Sequence, residues 1–509
     1  MPEALPPLIK ALLDPAPYPD PAAKVELVET HASWLLLAGD FAYKIKKPLV
    51  LPFLDYGTLD KRRACCEAEL RLNRRFAPDL YLAVVPIAGP PEKPQIGGTG
   101  PVVEFAVHMR RFAEAGRLDH LCARQQLRAQ QISDLAATVA AFHERAAVAP
   151  PATRFGEAAQ VLAPALANFA ELRPLLPGRD AQQRLRRLAE WTRAAFDRLA
   201  PIFTSRKADG RVRECHGDLH LGNLVLIGGR VMLFDCIEFS EDLRWIDVAS
   251  EIAFTYVDLL DKRQPGLAVW LVNEWLACSG DYEAVRVLRF YAVYRALVRA
   301  KVAGIRAAQA NADSALASDY LALAERLIQA PPARLIITHG LAGCGKSRAA
   351  RRLLLGDPAA ATLCLRSDVE RKRLFGIAPA ASSGSPPNGG IYTANASELT
   401  YRRLHELAQE VLAAGWSVIV DAAFLERSRR DAFRALATQA GVAFLIIAPQ
   451  ATPARLRARI RGRLARGRDA SEATLAVLER QLARVEALDG DELGCLLGAT
   501  HASASSRGA

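Results

Sequence analysis

The sequence predicts two domains, an α+β domain followed by an α/β domain with a parallel sheet. The 509 residues are too many for one hydrophobic core, so two or three domains are expected. Short strand patterns near the start of the chain give way to long helical patterns that end near residue 329. Pro331 and Pro332 then stop the last helix, and a buried strand, a glycine-rich turn and another helix follow.

The composition is that of an ordinary globular protein, with 51% hydrophobic and 24% charged residues. No apolar run approaches the roughly 18–20 residues that span a bilayer. The start of the sequence lacks the basic and apolar regions of a signal peptide. Nine cysteines without a Cys-x-x-Cys pair indicate free thiols, so we expect a cytoplasmic location and no membrane partner.

The first part of the chain is predicted to form a small sheet followed by a helical region. Residues 1–24, rich in proline and alanine, are expected to wrap the surface. Patterns of apolar residues predict three short strands, with a tight turn at Ala38-Gly39-Asp40 between the last two. The expected elements are strands Val25–Thr30, Trp34–Leu37 and Phe41–Lys46, helix Leu59–Phe76, strand Val102–Arg111, and helices near 131–146, 181–204, 244–262, 266–278, 281–308 and 313–329.

One polar loop carries residues with a definite chemistry. The stretch His216–Asn223 places Asp218 and Asn223 five residues apart, and an apolar run then delivers Asp235 at a strand end. Phosphoryl transfer needs a carboxylate that orients the acceptor hydroxyl, as Asp218 would. It also needs oxygen donors that hold Mg²⁺ on the ATP phosphates, as Asn223 and Asp235 would. The alternative is an Asx-rich turn between two strands, which the ordered spacing from His216 to Asp235 disfavours.

This loop, with the strand and Asp235 that follow it, resembles the catalytic core of the aminoglycoside-phosphotransferase branch of the protein-kinase-like fold. The resemblance implies a lysine on the third strand that contacts the ATP phosphates, which is Lys44, and a glutamate partner on the next helix. That helix offers Glu67 and Glu69. Glu69 is preferred because it begins a Glu-Leu-Arg-Leu-Asn pattern that resembles the family. A solvated face is the alternative for each of these residues.

Two further residues and one departure belong to the same resemblance. Asp247 matches the family's aspartate after the metal-binding one, and it is expected to hold the catalytic loop by hydrogen bonds. His220 is expected to brace that loop as a neutral side chain bonded to a backbone group. A kinase glycine-rich loop should precede Trp34, but Glu29–Ser33 stands there. Either hydroxyl and backbone groups of this turn contact phosphate, or the site is weaker than usual.

The second domain begins with a phosphate-binding motif. Gly340–Ser347 fits G-x-x-x-x-G-K-[ST], follows the predicted strand Arg334–Thr338 and precedes an amphipathic helix, which is the context of a P-loop. Its glycines let backbone N–H groups turn toward the β-phosphate, while the lysine reaches the β- and γ-phosphates and the serine binds Mg²⁺. The cofactor-binding residues expected here are Gly340, Gly343, Cys344, Gly345, Lys346 and Ser347. Asp421 ends an apolar strand and is expected to act on the metal, with a helix N-cap as the alternative.

Asp368 and Arg371 lie one turn apart on one face of a predicted helix. The Asp-x-x-Arg pattern resembles polynucleotide kinases, zeta-toxin-like kinases and relatives of gluconate kinase. The resemblance implies that Asp368 contacts the acceptor hydroxyl and that Arg371 steadies charge. The alternative is an N-capping aspartate with a surface arginine.

The arginine-dense segment Ala454–Arg468 resembles a kinase lid, which closes over ATP and places arginine on the transferring phosphoryl group. Arg459 and Arg463 are one turn apart and are the best candidates for this role. A solvated basic face is the alternative for many of the arginines.

The whole chain resembles bacterial proteins that join an aminoglycoside-phosphotransferase-like domain to a P-loop ATP-binding domain. The expected divisions are 1–330 (N-lobe about 25–112, helical C-lobe about 113–330), 333–497, and a disordered tail at 498–509. The resemblance implies a bifunctional phosphotransferase that uses ATP and Mg²⁺ to phosphorylate hydroxyl groups of small molecules. Two alternatives stay open. The first domain would be a sensor that controls the second, or the second would phosphorylate nucleic-acid ends, with which the net charge of +11 is compatible.

Overall fold

The computed structural model describes residues 5–20, 22–51, 54–379, 381–385, 389–466 and 472–497, without the side chains of 463–466. Contacts divide the chain into two compact units. Unit 1 comprises residues 1–164 and 200–258, and unit 2 comprises residues 165–199 and 259–509.

The strands, in chain order, are β1 Val25–Glu29, β2 Ser33–Ala38, β3 Phe41–Lys46, β4 Val50–Leu51, β5 Leu54–Asp55, β6 Tyr81–Ala88, β7 Gln95–Ile96, β8 Val102–Arg110, β9 Val212–Glu214, β10 Leu224–Ile227, β11 Arg230–Leu233, β12 Trp245–Asp247, β13 Arg334–Thr338, β14 Thr362–Arg366, β15 Ser417–Asp421 and β16 Ala443–Ile447.

The α-helices, in chain order, are α1 Pro7–Ala11, α2 Leu59–Asn73, α3 Leu118–Ala123, α4 Ala129–Arg145, α5 Ala158–Leu175, α6 Arg179–Ala208, α7 Glu241–Arg244, α8 Val248–Asp261, α9 Pro265–Ser279, α10 Ala284–Gln309, α11 Ala315–Ile328, α12 Lys346–Leu355, α13 Ser367–Leu374, α14 Ala394–Ala413, α15 Arg427–Gln439, α16 Pro453–Arg466, α17 Leu475–Arg484 and α18 Gly490–Leu493.

Unit 1 contains an antiparallel sheet in the order β1-β2-β3-β8-β6-β7. Strand β3 lies between β2 and β8, with Lys44 opposite Leu35 and Val107. Helix α2 packs against β8 and β6. The Thr58 side chain caps this helix by accepting from the Lys61 N–H at 3.3 Å, which fixes where the helix begins. The packing of α2 on the sheet brings its residues toward the lysines of β3.

The segment that precedes β1 is part of the core of unit 1. Ile9 and Leu12 are fully buried, and Tyr18 packs with them against Trp34 and Tyr43. The Tyr18 hydroxyl donates to the Leu12 carbonyl at 2.8 Å. The expectation that this segment only wraps the surface was therefore wrong for residues 5–20, because its few large apolar side chains insert into the sheet's core.

Strands β10 and β11 form a hairpin that returns the chain to the polar loop. Leu224 pairs with Leu233 across the hairpin, and Gly228-Gly229 makes the turn. The Phe234 N–H then donates to the Asn223 carbonyl at 3.1 Å. As a result, Asp235 follows immediately beside the end of the loop.

Unit 2 contains a parallel sheet in the order β14-β15-β13-β16. Ile337 in β13 pairs with Val420 in β15, and Arg366 in β14 pairs with Asp421. The loop that leads to α12 follows β13 directly. Since the carboxyl ends of parallel strands meet at one edge of a sheet, this loop, Asp421 and the start of α13 lie at the same edge.

Helices α9, α10 and α11 precede the expected domain boundary at residue 330, yet they belong to unit 2. Helix α9 packs against α12 and β14, and α10 packs against α11. Among the described residues, no helix combines the length and apolarity needed to cross a membrane. The expected tail at 498–509 lies outside the described residues.

Candidate active sites

Three charged side chains of unit 1 meet beside β3. Lys44 Nζ lies 2.8 Å from Glu69 Oε1 and also contacts Asp235 Oδ1. Although burial disfavours its charge, the carboxylates of Asp235 and Glu69 hold the pKa of Lys44 well above its usual value. The side chain of Asp235 is 44% exposed whereas that of Glu69 is 0% exposed, so the cluster opens to solvent at Asp235. The expected pairing of Lys44 with Glu69 is present.

A second lysine, two residues further along β3, joins this network. Lys46 Nζ lies 2.7 Å from Glu69 Oε2 and contacts Glu238 Oε1, which also bonds the Tyr56 hydroxyl. Glu69 thus bridges two lysines, one with each carboxylate oxygen. The side chain of Lys46 is 1% exposed and that of Lys44 is 16% exposed. Lys44 is therefore the lysine that an entering ligand can reach more easily.

Asn73, one turn after Glu69 on α2, connects this helix to the strand end that carries Asp235. Its Nδ2 donates to the Glu69 carbonyl at 2.8 Å, and its Oδ1 accepts from the Cys236 N–H at 3.0 Å. The Asp235 N–H donates to the Tyr81 hydroxyl at 2.9 Å. These bonds fix the backbone N–H groups of Asp235 and Cys236, and with them the position of the Asp235 side chain.

The polar loop holds Asp218 and Asn223 in direct contact. Asn223 Nδ2 donates to the Asp218 carbonyl at 3.0 Å and to its Oδ2 at 3.1 Å. Both bonds use the amide nitrogen, which leaves the amide oxygen to serve as an acceptor or a metal ligand. His220 Nε2 lies 3.4 Å from Asp218 Oδ2, while its Nδ1 accepts from the Gly222 N–H at 3.0 Å. This is the bracing geometry expected for His220.

His216 joins the loop to the strand end that carries Asp235. Its Nε2 lies 2.8 Å from the Phe234 carbonyl, and its own carbonyl accepts from the Ile237 N–H at 3.1 Å. Burial lowers the pKa of His216, so the ring is neutral at neutral pH. Gly217 follows with φ of 89°, and a Cβ there would lie 2.8 Å from the Leu243 carbonyl, so only glycine fits.

Glu251 of α8 holds the same loop by its backbone. Its Oε1 accepts from the His216 N–H at 2.5 Å and from the Gly217 N–H at 2.9 Å. Its Oε2 lies 2.6 Å from His143 Nε2. Burial alone would raise the pKa of Glu251, but the bonds to His143 and to the loop lower it to about 2. Glu251 is therefore a buried carboxylate that anchors the start of the loop.

Asp247 was expected to hold this loop, and that expectation was wrong. Its two oxygens pair with Arg206 at 2.7 and 2.8 Å, and Oδ1 also accepts from the Ala249 N–H at 2.8 Å. Asp247 ends β12 just before α8 begins, and Glu251 lies one turn further along that helix. The helical turn brings Glu251, rather than Asp247, to the loop backbone.

The donor set of unit 1 fits Mg²⁺. The amide oxygen of Asn223 and the carboxylate of Asp235 are the hard oxygen ligands that this ion takes. Asp235 is also a non-glycine residue with φ of 62°, in the left-handed region that costs energy for such residues. Backbone strain of this kind concentrates at functional sites, so the outlier supports the assignment of Asp235 to a metal-binding role.

The P-loop of unit 2 closes around its own lysine. Lys346 Nζ donates to the carbonyl oxygens of Gly340 at 2.7 Å and Leu341 at 2.9 Å. Gly345 caps α12 with φ of 107°, a conformation that residues with a Cβ rarely adopt. Residues 343–347 line a cavity of about 1030 Å³. The loop therefore presents the first N–H groups of α12 toward an open space that can take phosphate.

Asp421 and Ser347 face each other at this cavity. Asp421 is 6% exposed and accepts a hydrogen bond from Ser347, and Thr338 Oγ1 lies 3.3 Å from its Oδ1. Burial raises the pKa of Asp421, and a cation beside it would offset that desolvation. The hydroxyl and carboxylate therefore fit Mg²⁺. The N-cap alternative is excluded, because the next helix begins at Arg427 with Glu426 in the cap position.

Asp368 and Arg371 of α13 line the same cavity as the P-loop. Arg371 Nη1 donates to the Ile391 carbonyl at 3.0 Å and to Ser397 Oγ at 3.2 Å, and its guanidinium lies 5.4 Å from the centroid of the Tyr392 ring. Burial lowers the pKa of Arg371, while the charge of Asp368 acts in the opposite direction. The pair is thus part of the cavity wall and not a surface feature.

The two lid candidates differ in what the structure describes. Arg459 Nη1 donates to the Gly343 and Cys344 carbonyls, both at 3.1 Å, so α16 reaches the P-loop. Gln481 of α17 also contacts it, since its Oε1 accepts from the Ala342 N–H at 2.7 Å. The side chain of Arg463 lies outside the described residues, and its role stays a prediction.

The sequence analysis assigned no site role to Lys46, Glu238, Glu251 and Gln481. The spacing of Lys46 two residues after Lys44, on the same face of a strand, could have indicated its place in the network. Glu238 and Glu251 carry no local signal, because their partners lie far away in the sequence. Gln481 was hidden within a helix of otherwise ordinary composition.

Two family profiles match the chain. The phosphotransferase enzyme family matches residues 62–291, and the AAA domain family matches residues 335–488. The first match includes Glu69, Asp218, Asn223 and Asp235, and begins after Lys44. The second includes the P-loop, Asp368 and Asp421.

Among known proteins, an uncharacterized protein of Mycobacterium tuberculosis strain H37Rv and one of Mycobacterium bovis are each 29% identical over 457 residues, which is 89% of both chains. Among solved structures, a choline/ethanolamine kinase family protein from Mesorhizobium loti has 16% identity, covers 64% of this chain and 94% of its own, and gives a TM-score of 0.41. A sugar kinase from a Janibacter species has 23% identity, covers 33% of this chain and 85% of its own, and gives a TM-score of 0.24. The chain therefore contains one segment similar to the phosphotransferase enzyme family and one similar to the AAA domain family, and the first match supports a kinase-type enzyme.

Proposed function

We propose that the protein is an ATP- and Mg²⁺-dependent phosphotransferase with two ATP sites, each of which transfers the γ-phosphoryl group of ATP to a hydroxyl group of a small molecule. The observation that carries this proposal is that each unit gathers a lysine, two oxygen donors suited to Mg²⁺ and a further carboxylate. In unit 1 these are Lys44, Asn223, Asp235 and Asp218, and in unit 2 they are Lys346, Ser347, Asp421 and Asp368.

In unit 1, Asp218 accepts a hydrogen bond from the acceptor hydroxyl and aims its oxygen at the γ-phosphorus. As the new O–P bond forms and the bond to the β-phosphate oxygen breaks, the hydroxyl proton passes to the Asp218 carboxylate. The bond from Asn223 Nδ2 holds that carboxylate in place. When ATP binds, the Lys44 ammonium group turns partly from Asp235 to the phosphates and balances their negative charge. Asn223 and Asp235 would hold Mg²⁺, which when bound would neutralise part of the charge of the phosphates.

In unit 2, Lys346 exchanges the carbonyl oxygens of Gly340 and Leu341 for the β- and γ-phosphates. Asp368 orients the acceptor hydroxyl and takes its proton, and Arg371 stabilises the charge that develops beside it. Arg459 already lies on the P-loop, where it can reach the transferring group. Ser347 and Asp421 would hold Mg²⁺, which when bound would neutralise part of the charge of the β- and γ-phosphates at this site.

Counting the nucleotide sites is the first test. Titration of an ATP analogue into the full-length protein is expected to give two sites, and Lys346→Ala or Asp235→Ala is expected to remove one each. If Lys346→Ala abolishes all binding, unit 1 is not a nucleotide site, and the hypothesis that it serves as a sensor for the P-loop kinase replaces this proposal.

The class of acceptor for unit 2 is tested by ATP turnover with a panel of sugars, polyols and amino alcohols, and with 5′-hydroxyl oligonucleotides. Each is assayed at low and moderate salt. A small acceptor should give turnover that depends weakly on salt, because few phosphates are neutralised. Efficient oligonucleotide phosphorylation that falls steeply with log salt, and that is lost in Asp368→Ala, would favour a nucleic-acid end kinase instead.

A further inference from the structure

Helix α9 is buried around most of its circumference within unit 2. Its buried residues include Ala268, Val269, Leu271, Val272 and Leu276. A helix that is apolar on every side belongs inside a domain and not on its surface. Because α9 packs against α12 and β14, it is an interior layer of the unit that carries the P-loop.

Polar contacts fix this layer to the edge of the parallel sheet. β14 is an outer strand of that sheet, and the Cys364 N–H on its open side donates to Asn273 Oδ1 of α9 at 2.8 Å. The Arg351 guanidinium of α12 lies 4.7 Å from the centroid of the Trp270 ring. The Trp416 Nε1–H, just before β15, donates to the Val285 carbonyl at 3.1 Å. The helices that precede residue 330 therefore cover an edge that a sheet would otherwise expose.

Helix α9 and the turn after it also form hydrogen bonds with α13, the helix that carries Asp368 and Arg371. The Tyr282 hydroxyl, between α9 and α10, donates to Glu370 Oε1 at 3.0 Å. Arg373 Nη2 donates to the Ala277 carbonyl at 2.6 Å, and its Nε lies 3.4 Å from Glu370. Glu370 is 0% exposed, so these two donors replace hydrogen bonds that its carboxylate would otherwise make to water.

The residues of α13 that bond Tyr282 and Ala277 lie on the opposite face of the helix from those that line the cavity. At about 100° per residue, Asp368 and Arg371 lie on one side of the helix, and Glu370 and Arg373 lie roughly opposite. Loss of the bonds that Glu370 and Arg373 form would let α13 rotate or shift, and this would move Asp368 relative to the P-loop.

We propose that Tyr282 and Arg373 are positioning residues that set the orientation of α13, and through it the place of Asp368 and Arg371 in the P-loop site. The helices before residue 330 then help to position the residues of the second candidate kinase site. This inference rests on the proposed function in one respect, the role of Asp368 in orienting the acceptor.

The test uses the full-length protein with Asp218→Asn, so that ATP turnover comes from unit 2. Basal hydrolysis of MgATP is measured, with water in the place of the acceptor. Tyr282→Phe removes only the hydroxyl that donates to Glu370. It is expected to lower kcat about tenfold through misplacement of Asp368. The KM for ATP should not change, because the P-loop is not on α13. Hydrogen exchange of residues 367–374 should become faster.

Two controls separate positioning from general stability. Tyr320→Phe removes another buried hydroxyl of unit 2, which bonds Arg299 at 3.3 Å away from α13, and it should leave kcat and the exchange of α13 unchanged. Glu370→Gln keeps an acceptor for Tyr282 and should retain more activity than Glu370→Ala.

Unchanged kcat and unchanged exchange of α13 in Tyr282→Phe would overturn the inference. So would a loss of ATP binding and of thermal stability together, since that would indicate a purely structural role. Asp368→Ala, measured in parallel, reports on the proposed function by itself. If it has no effect on turnover, the assignment of Asp368 is wrong, and the exchange measurement still decides whether Tyr282 holds the helix.

Discussion

Units 1 and 2 each present a lysine to a candidate phosphate site, but they hold it in different ways. Lys44 is held by carboxylates of Glu69 and Asp235, which lie 25 and 191 residues away in the sequence. Lys346 is held by carbonyl oxygens of its own loop, five and six residues away. The first arrangement needs the whole fold of unit 1, whereas the second needs one strand, one loop and one helix. A local motif therefore holds the lysine of the second site, whereas the lysine of the first site is held by residues that meet through tertiary contacts.

The largest effect that would test this comparison is expected at Asp218, the proposed base of unit 1. In a Lys346→Ala background, Asp218→Asn is expected to lower turnover by roughly 10²–10⁴, because a positioned base is lost. ATP affinity should stay nearly unchanged, since Asn223 and Asp235 remain. Steady-state turnover and nucleotide titration on the same preparation check both parts. Unaltered turnover would contradict the role of Asp218.

The lysine of the P-loop gives the next largest effect. In an Asp218→Asn background, Lys346→Ala is expected to lower unit 2 turnover by roughly 10²–10³, as for other charged groups aimed at a reacting centre. The matched control is Arg348→Ala, a neighbouring cation on α12 that also lines the cavity but is not part of the motif's phosphate grip. Equal losses in both variants would indicate a general electrostatic effect and not a specific one.

Removing the anchor of the polar loop should destabilise unit 1. Glu251→Ala leaves two backbone N–H groups and His143 without their acceptor, which we expect to cost about 1–3 kcal/mol of unfolding free energy. Glu67→Ala is the matched control, because Glu67 forms an exposed i,i+4 pair with Arg63. Such pairs contribute about 0–1 kcal/mol. Chemical denaturation followed by hydrogen exchange of residues 216–223 would check this, and equal effects of the two variants would contradict it.

The smallest expected effect is a pH dependence of the stability of unit 1. Burial lowers the pKa of His216 below its usual 6.5, so the unfolded chain binds a proton first as the pH falls. Stability is thus full above pH 6.5 and declines below it. Glu251 adds a second loss between its usual pKa of 4.5 and about 2, where the folded carboxylate protonates. Thermal midpoints across this range test the sign, and Glu251→Gln should flatten the lower part. A midpoint that rises on acidification would contradict both assignments.

Local patterns predicted much of the fold. The strand Arg334–Thr338 has the predicted bounds, and β1 to β3, α2 and α9 to α11 lie within a few residues of theirs. Motifs also brought out Asp218, Asn223, Asp235 and the P-loop residues, because their spacing is set by one loop. Helix α5 and strand β6 were not predicted, since neither is flanked by a clear start or stop signal.

Partnerships across the fold were harder to predict. Asp247 and Glu251 are both acidic residues one turn apart, and only the direction of α8 decides which of them reaches the loop. Likewise, the sequence order of α9 to α11 suggested a C-lobe, whereas α9 packs against β14 and α12, and α10 packs against α11. The position of a helix in the sequence does not show which of two sheets its apolar face will pack against.

The bonds of Asn73 have a consequence for regulation. In many kinases the helix with the lysine's glutamate partner swings outward to switch the enzyme off. Here one side chain joins that helix to the Cys236 N–H, next to Asp235, while Glu69 itself bridges Lys44 and Lys46. An outward swing of α2 would have to pull the strand end that carries Asp235 with it and separate both ammonium groups from Glu69. Unit 1 is therefore built to stay assembled, and we do not expect movement of this helix to switch it off.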